Sequence, residues 1–224
     1  MQVWVRALSL FGIMIATLSA SSTAFSADDK CGDKAGASRW NIKTTVKAGS
    51  NLDSGTHVDL AQLVNRPNFD MTAAETEQYE SAFFPKQGNR SSQEGDIIST
   101  IGWLNYVQCK DDDNDYHVQI SASEDGSSGC LIVEVPHPDY VTDEKLKEHV
   151  TEVRAFLRNT FYGGQLPSGK PKTAREVEVV GQLFFDAYHL RQVESKGPGG
   201  GRGVKCTVHT LWEIHPVTAL TLAP

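Results

Sequence analysis

Short apolar runs separated by turn-forming segments dominate the chain from residue 96 onward. The first three runs lie at residues 97–108, 116–121 and 130–135. In the second run Tyr116, Val118 and Ile120 alternate with polar residues, which is the period-two pattern of a strand with one buried face. Gly102 interrupts the first run, and an internal glycine often marks a bulge or a sharp bend. The pattern therefore predicts three strands, the first of them bent.

A helix and two more strands follow the third strand. Residues 142–162 place one apolar stripe at helical spacing, formed by Leu146, Val150, Val153 and Leu157. Thr142 is a candidate N-cap and Gly163 a stop signal. Further apolar runs cover residues 177–185 and 204–222, and we expect Pro216 to interrupt the second run.

Three strands, one helix and two strands form the element order of an OB-fold. The sequence therefore predicts a mainly β fold: an OB-like, five-stranded small barrel with one helix between strands 3 and 4, over residues 96–224. In such a barrel we expect the first strand to pair with both the fourth and the fifth. A less regular α+β sheet is the alternative that the same order permits.

Residues 28–95 are polar and rich in turn formers, with few apolar residues for a core of their own. Leu60, Leu63 and Val64 lie at helical spacing. Thr72 and Glu75 form a capping-box pattern at the start of another short helix. We expect an N-terminal arm with short helices that packs on the barrel.

Residues 1–27 have the features of a secretory signal peptide. Arg6 precedes an apolar run at residues 7–18, and small residues follow. The run is short for a membrane span, although an uncleaved anchor is the alternative. No later run approaches membrane length. We therefore expect an exported protein, in the periplasm or the extracellular space, with no membrane span after signal removal.

An exported chain with an even number of cysteines is expected to form disulfides. The four cysteines are Cys31, Cys109, Cys130 and Cys206. Spacing alone leaves three connectivities open. Folding the hairpin between the first and third strands suggests Cys109 with Cys130, which leaves Cys31 with Cys206.

The 224-residue chain carries a formal net charge of −7. This balance disfavours nucleic acid as a partner, because phosphate binding needs clustered lysine and arginine. It also disfavours a nuclease, since Arg191 and Arg202 are the only arginines near the candidate motifs.

Three motifs carry a resemblance to known proteins. They are Asp115-Tyr116-His117-Val118, Gly181-Gln182-Leu183-Phe184-Phe185-Asp186-Ala187-Tyr188-His189 and Trp212-Glu213-Ile214-His215-Pro216-Val217. Residues 95–222 resemble small exported bacterial proteins with an OB-like domain and motifs of the type GQLFFDxxH and WEIHPV. The resemblance implies a fold and an exported location, and it implies no activity.

Several polar residues stand at strand ends: His117, Glu134, His137, Asp186, His189, Glu213 and His215. On the last strand, alternation puts Glu213 and His215 on the face opposite the core or at the barrel rim. Five of these residues are ligand-binding candidates, namely His117, Asp186, His189, Glu213 and His215. Four of those would suit zinc: His117, Asp186, His189 and His215. The alternative is that Asp186 caps a turn and the imidazoles bond to the backbone.

Two other segments suggest ligands more weakly. The run at residues 111–115 lacks the spacing of a calcium loop, so a solvated turn is the simpler interpretation. The glycine-rich residues 196–203 join two strands instead of preceding a helix, which predicts a mobile hairpin tip and not a phosphate cradle.

The sequence predicts an exported, non-catalytic binding domain for a small molecule, a glycan or a protein partner at the barrel rim, without a resident cofactor. The alternative is a metal-dependent hydrolase, with zinc as the metal, that uses the His/Asp cluster.

Overall fold

The structure, a computed structural model, describes residues 29–32, 38–86, 92–110 and 112–224. Its strands are β1 Thr56–His57, β2 Ile97–Cys109, β3 Tyr116–Ser121, β4 Cys130–Val135, β5 Ser168–Gly169, β6 Glu176–Phe185 and β7 Val208–Leu222. Its α-helices are α1 Trp40–Lys43, α2 Leu60–Val64, α3 Ala73–Thr76, α4 Glu144–Phe161 and α5 Leu190–Lys196. The predicted signal peptide, residues 1–27, lies outside the described residues.

Five strands close into a barrel in the order β2-β3-β4-β7-β6, and β6 pairs back with β2. The β4–β7 pair is parallel, and the other neighbours in the barrel are antiparallel. The predicted OB-like barrel, with α4 between its third and fourth strands, is confirmed. One expected pairing is wrong: among the described strands β2 pairs with β6 but not with β7, because β7 lies between β4 and β6.

The core fills the barrel interior with the inward side chains of alternate strand positions. The whole predicted stripe of α4 is buried against it. Asp143, and not Thr142, caps this helix through a bond from the Leu146 backbone N–H to its carboxylate. Arg154 is buried on the same helix. Its guanidinium pairs with Asp29 at 2.8 Å, which fixes the start of the described arm to the barrel end.

The arm packs along the barrel. Its strand β1 adds to β2 in parallel, and the capping box of Thr72 and Glu75 is present at α3. The side chain of Leu60 on α2 lies against Gly102 of β2. A Cβ atom at Gly102 would come 2.5 Å from a Leu60 methyl group, so a larger residue would require the Leu60 side chain to shift. Gly102 therefore accommodates the arm; the bulge toward β3 falls between Leu104 and Tyr106.

The four cysteines form two disulfides, but not in the predicted pairs. The bonds join Cys31 to Cys109 and Cys130 to Cys206. Cys109 lies opposite Tyr116 at one end of β3, whereas Cys130 lies opposite Ser121 at the other end. In an antiparallel meander the end of the first strand and the start of the third are thus separated by the length of the second, roughly 17 Å here.

The arm and the loop before β7 are each tied to the barrel by one of these bonds.

Among the described helices, none is both long and apolar enough to cross a bilayer.

Candidate functional site

The predicted site residues lie on the outside of the barrel, opposite the core. His117 extends from β3, and Glu213 and His215 extend from β7. Glu134 extends from β4 between them, because the β3–β4 register pairs it with His117. The sequence placed Glu213 and His215 on this face correctly. The structure adds that the face is buried: His215 is 0% exposed and Glu213 is 2% exposed.

Two segments cover this face. One is α1 of the arm, which places the Lys43 side chain over the strands. The other is the loop of residues 197–207, here named the cap loop. It follows α5, a helix that the sequence pattern did not predict, and it turns back over the barrel instead of forming a hairpin tip. Gly200, at φ 63°, lies so close to His189 that a Cβ atom would be 2.9 Å from the His189 Cβ.

His215 is the centre of a group of buried carboxylates. Its Nε2 atom lies 3.2 Å from Oδ2 of Asp115, and its Nδ1 atom lies 3.1 Å from Oε2 of Glu134. A third carboxylate oxygen, Oε2 of Glu213, lies 3.8 Å from Nδ1. Each ring nitrogen lies within ion-pair distance of a carboxylate oxygen, but neither contact has the geometry of a hydrogen bond. Phe184 packs its ring edgewise against the imidazole.

His117 extends this group toward the cap loop. Its Nδ1 atom lies 2.7 Å from Oε1 of Glu134, and its Nε2 atom lies 3.2 Å from the Gln119 amide nitrogen. The Gln119 amide oxygen accepts a bond from the Lys205 backbone N–H of the cap loop at 3.2 Å. Glu134 therefore joins two of the predicted histidines, His117 and His215.

Asp186 and His189 form the other end of the network, where β6 meets α5. The Asp186 carboxylate bonds to the His189 ring, as the i and i+3 spacing allows. Arg202 of the cap loop donates to Asp186 at 3.0 Å and also to Glu213. The four predicted metal ligands therefore do not share one point: His215 reaches His189 only through Glu213, Arg202 and Asp186. His189 is the most exposed of them, with 26% of its side chain accessible.

Lys43 is the cation that the arm contributes. Its Nζ atom lies 3.7 Å from Glu134 and 3.8 Å from Asp113. Burial lowers the pKa of Lys43, but the surrounding carboxylates, Glu134 foremost, raise it more, so its pKa lies above the ordinary value. The ammonium group therefore stays charged in the fold.

The pKa values of His215 and Glu134 are shifted from their ordinary values as well. Burial lowers the pKa of His215, yet its contacts with Asp115, Glu134 and Glu213 raise that pKa well above the ordinary value. Burial alone would raise the pKa of Glu134. Lys43 and the two histidines lower that pKa by more, so it lies well below its ordinary value. His215 is thus held as an imidazolium beside the Glu134 carboxylate.

The acidic run after β2 forms the expected turn, but most of it is not solvated. Asp111 lies outside the described residues and Asp112 is exposed, whereas Asp113, Asn114 and Asp115 are buried. Burial, followed by the charges of Asp115 and Glu134, raises the pKa of Asp113 to about 8. The expectation of a solvated run is therefore wrong for residues 113–115, because the arm and α4 cover them.

A different set of potential metal ligands lies together. In the part of the chain that the structure describes, Asp115, Glu134 and His215 present ligand atoms within 4.8 Å of one another. Of the four predicted metal ligands, His215 alone belongs to this group. The other two residues have only weak signals in the sequence: Asp115 lies in a loop-like acidic run, and Glu134 is one polar residue in an apolar strand.

Comparison with models of known protein families finds no match, and comparison with curated proteins also finds none. The resemblance to small exported bacterial proteins stays a sequence-based expectation.

Proposed function

We propose that the protein is an exported, non-catalytic binding domain that holds a hydroxyl-rich ligand, such as a glycan, in a groove at the barrel rim. One observation carries the proposal. The charged side chains that a catalysed reaction would require are buried under the arm and the cap loop, while the adjoining rim has an open groove. Two disulfides are compatible with export.

The groove has a volume of about 250 Å³ and lies where α3 of the arm faces the start of α5. Its lining includes Ser38, Thr76, Glu80, Tyr188 and Arg191. Tyr188 is 58% exposed, the most exposed large hydrophobic side chain among the described residues. An open aromatic face provides an apolar platform for a sugar ring, and hydroxyl, carboxylate and guanidinium groups around it can bond to sugar hydroxyls.

The metal-dependent hydrolase receives less support from the same geometry. A catalytic group must come within hydrogen-bond reach of its substrate. His215 and Asp115 are both 0% exposed, and no described groove includes either of them in its lining. The hydrolase would need the arm or the cap loop to move away from the barrel.

Titration of the intact protein with a panel of neutral and acidic oligosaccharides, followed by amide chemical shifts, tests the proposal. We expect shifts at Thr76, Tyr188 and Arg191, and binding about tenfold weaker in Tyr188→Ala, as for loss of one aromatic contact. Leu166→Ala is the matched control, because Leu166 is also an exposed hydrophobic residue and lies outside the groove. Absence of binding, or equal affinity in Tyr188→Ala, would refute a glycan site at this groove.

A further inference from the structure

Buried polar atoms without hydrogen-bond partners concentrate around His215. Among the described residues they include both carboxylate oxygens of Asp115, Oε2 of Glu213 and both ring nitrogens of His215. Buried polar groups in folded proteins nearly always have a partner, because leaving one unpaired costs roughly 1–3 kcal/mol. The presence of several such atoms in one place indicates that a further group binds to all of them.

These atoms also have the spacing of metal ligands. Asp115, Glu134 and His215 each offer an atom within 4.8 Å of the others. Oε2 of Glu213 lies outside this group, 3.8 Å from Nδ1 of His215. Ligand atoms around a four-coordinate zinc ion lie roughly 3.3 Å apart at zinc–ligand distances of about 2.0–2.1 Å, so binding would draw the ligand atoms together by up to about 1.5 Å. The ligands come from the loop before β3, from β4 and from β7, and a bound ion would join these three segments.

The buried carboxylates outnumber the permanent cations of the group. Four carboxylates, those of Asp115, Glu134, Glu213 and Asp186, meet two such cations, Lys43 and Arg202, which leaves a formal charge of −2 while the imidazoles are neutral. A divalent ion bound to a neutral imidazole would balance that charge. Burying an unbalanced charge is costly, so this balance favours a cation at the group.

The donor set and the burial select the type of ion. All four cysteines form disulfides, so the site offers imidazole nitrogen and carboxylate oxygen without thiolates. Calcium prefers six to eight oxygen ligands, and magnesium retains several waters, neither of which suits a group with an imidazole under a closed cover. Zinc accepts one imidazole and carboxylates in a four-coordinate, closed site.

We propose that Asp115, Glu134 and His215, with Glu213 as the fourth residue, form a buried structural zinc site beneath Lys43. One ring nitrogen of His215 binds the ion together with carboxylate oxygens of Asp115 and Glu134. The site is independent of the glycan groove and performs no chemistry on a ligand. Because Lys43 covers it, the ion enters as the chain folds.

Metal content after folding in the presence of zinc tests the site. The full chain is expressed and refolded with Zn²⁺, and in parallel with Ca²⁺ or Mg²⁺, and passed over a desalting column before elemental analysis. We expect about one zinc ion per chain and X-ray absorption showing only nitrogen and oxygen neighbours near 2.0–2.1 Å. Less than about a tenth of an ion per chain would overturn the proposal. Filling by Ca²⁺ in place of Zn²⁺ would overturn it too.

Variants locate the ion. His215→Gln and Glu134→Gln should each lose the zinc while retaining the circular dichroism spectrum of the fold. His209→Gln is the matched control, because His209 is an exposed histidine on the same strand, and it should keep the zinc. Full zinc occupancy in His215→Gln would overturn the proposal. If His215→Gln does not fold, two other measurements test the site. Glu134→Gln should lose the zinc, and the X-ray absorption spectrum of the unchanged protein should show an imidazole ligand.

Discussion

His137 shows how burial of a single side chain sets a pH response. It is 3% exposed, and its Nδ1 atom accepts a bond from the Asp139 backbone N–H at 3.2 Å. Burial, with the positive charge of Arg154 as a smaller contribution, lowers the pKa of His137 from 6.5 to about 4. The imidazole is therefore neutral in the folded protein over a range where the unfolded chain binds a proton.

This difference predicts a loss of stability in mild acid. As the pH falls from 6.5 to about 4, the unfolded state gains a proton at His137 that the folded state does not, so folding becomes less favourable. We expect the free energy of unfolding to fall by about 3 kcal/mol more in the unchanged protein than in His137→Asn, which keeps the capping acceptor. Urea unfolding at a series of pH values measures this.

Above pH 7 the two proteins should differ by a constant amount. His209→Asn, at an exposed position, serves as the control and should follow the unchanged protein throughout. Parallel curves for His137→Asn and the unchanged protein between pH 4 and 6.5 would contradict the assignment.

At the scale of elements, Arg202 makes a buried ion-pair contact between the cap loop and the barrel, in addition to the Cys130–Cys206 disulfide. The Arg202 side chain is 5% exposed; it donates to Asp186 and Glu213, and to the Thr210 backbone carbonyl at 2.6 Å. Arg202→Ala would leave two buried carboxylates without their cation. We expect it to lower the free energy of unfolding by about 3–5 kcal/mol, the usual result of removing one partner of a buried ion pair.

The matched control for that substitution is Arg191→Ala. Arg191 is 73% exposed and pairs with Glu77 at only 4.0 Å, so its loss should cost no more than about 0.5 kcal/mol. Chemical unfolding of both variants provides the comparison. Equal effects would show that the cap loop is not held by Arg202.

The strands could be predicted well because their alternation is clean. Residues 116–121 and 130–135 match β3 and β4 in full, and α4 buries its predicted stripe. The alternation failed in β7, where Leu211 and Trp212 both face the core while Val208 belongs to the small outer cluster with Cys130. The β4–β7 register shifts there, and such an irregularity leaves no mark in the period-two pattern.

The site was only partly predictable for a related reason. Alternation identifies the outward face of a strand, so His117, Glu213 and His215 could be found from the sequence. It does not reveal what covers that face. Lys43 and Arg202 come from segments with the composition of an arm and of a flexible loop. The burial of Lys43 arises from contacts with residues far away along the chain, and that of Arg202 from the folding of the cap loop back onto the barrel.

At the scale of the whole molecule, the disulfides fasten both covering segments. Cys31–Cys109 fixes the arm to the end of β2, and Cys130–Cys206 fixes the cap loop to the start of β4. Peptide mapping without reduction should recover these two linked pairs. A peptide joining Cys109 to Cys130 would contradict the structure.

Each bond closes a long segment of chain, with sequence separations of 78 and 76 residues. The double substitution Cys130→Ala and Cys206→Ala should therefore lower the free energy of unfolding by up to about 4 kcal/mol, through the greater freedom of the unfolded chain. Chemical unfolding measures the loss, with the fully reduced protein as the reference for removal of both bonds.

The position of β7 between β4 and β6 has a consequence for folding. Without β7, the other four strands of the barrel would leave two open strand edges, one on β4 and one on β6. Lys43 and Glu134 precede β7 in the chain, whereas His215 lies on it. Folding that depends on such distant contacts is slow, and it exposes the open edges to aggregation until they are paired. Completion of the barrel and burial of its charged group thus depend on the same strand.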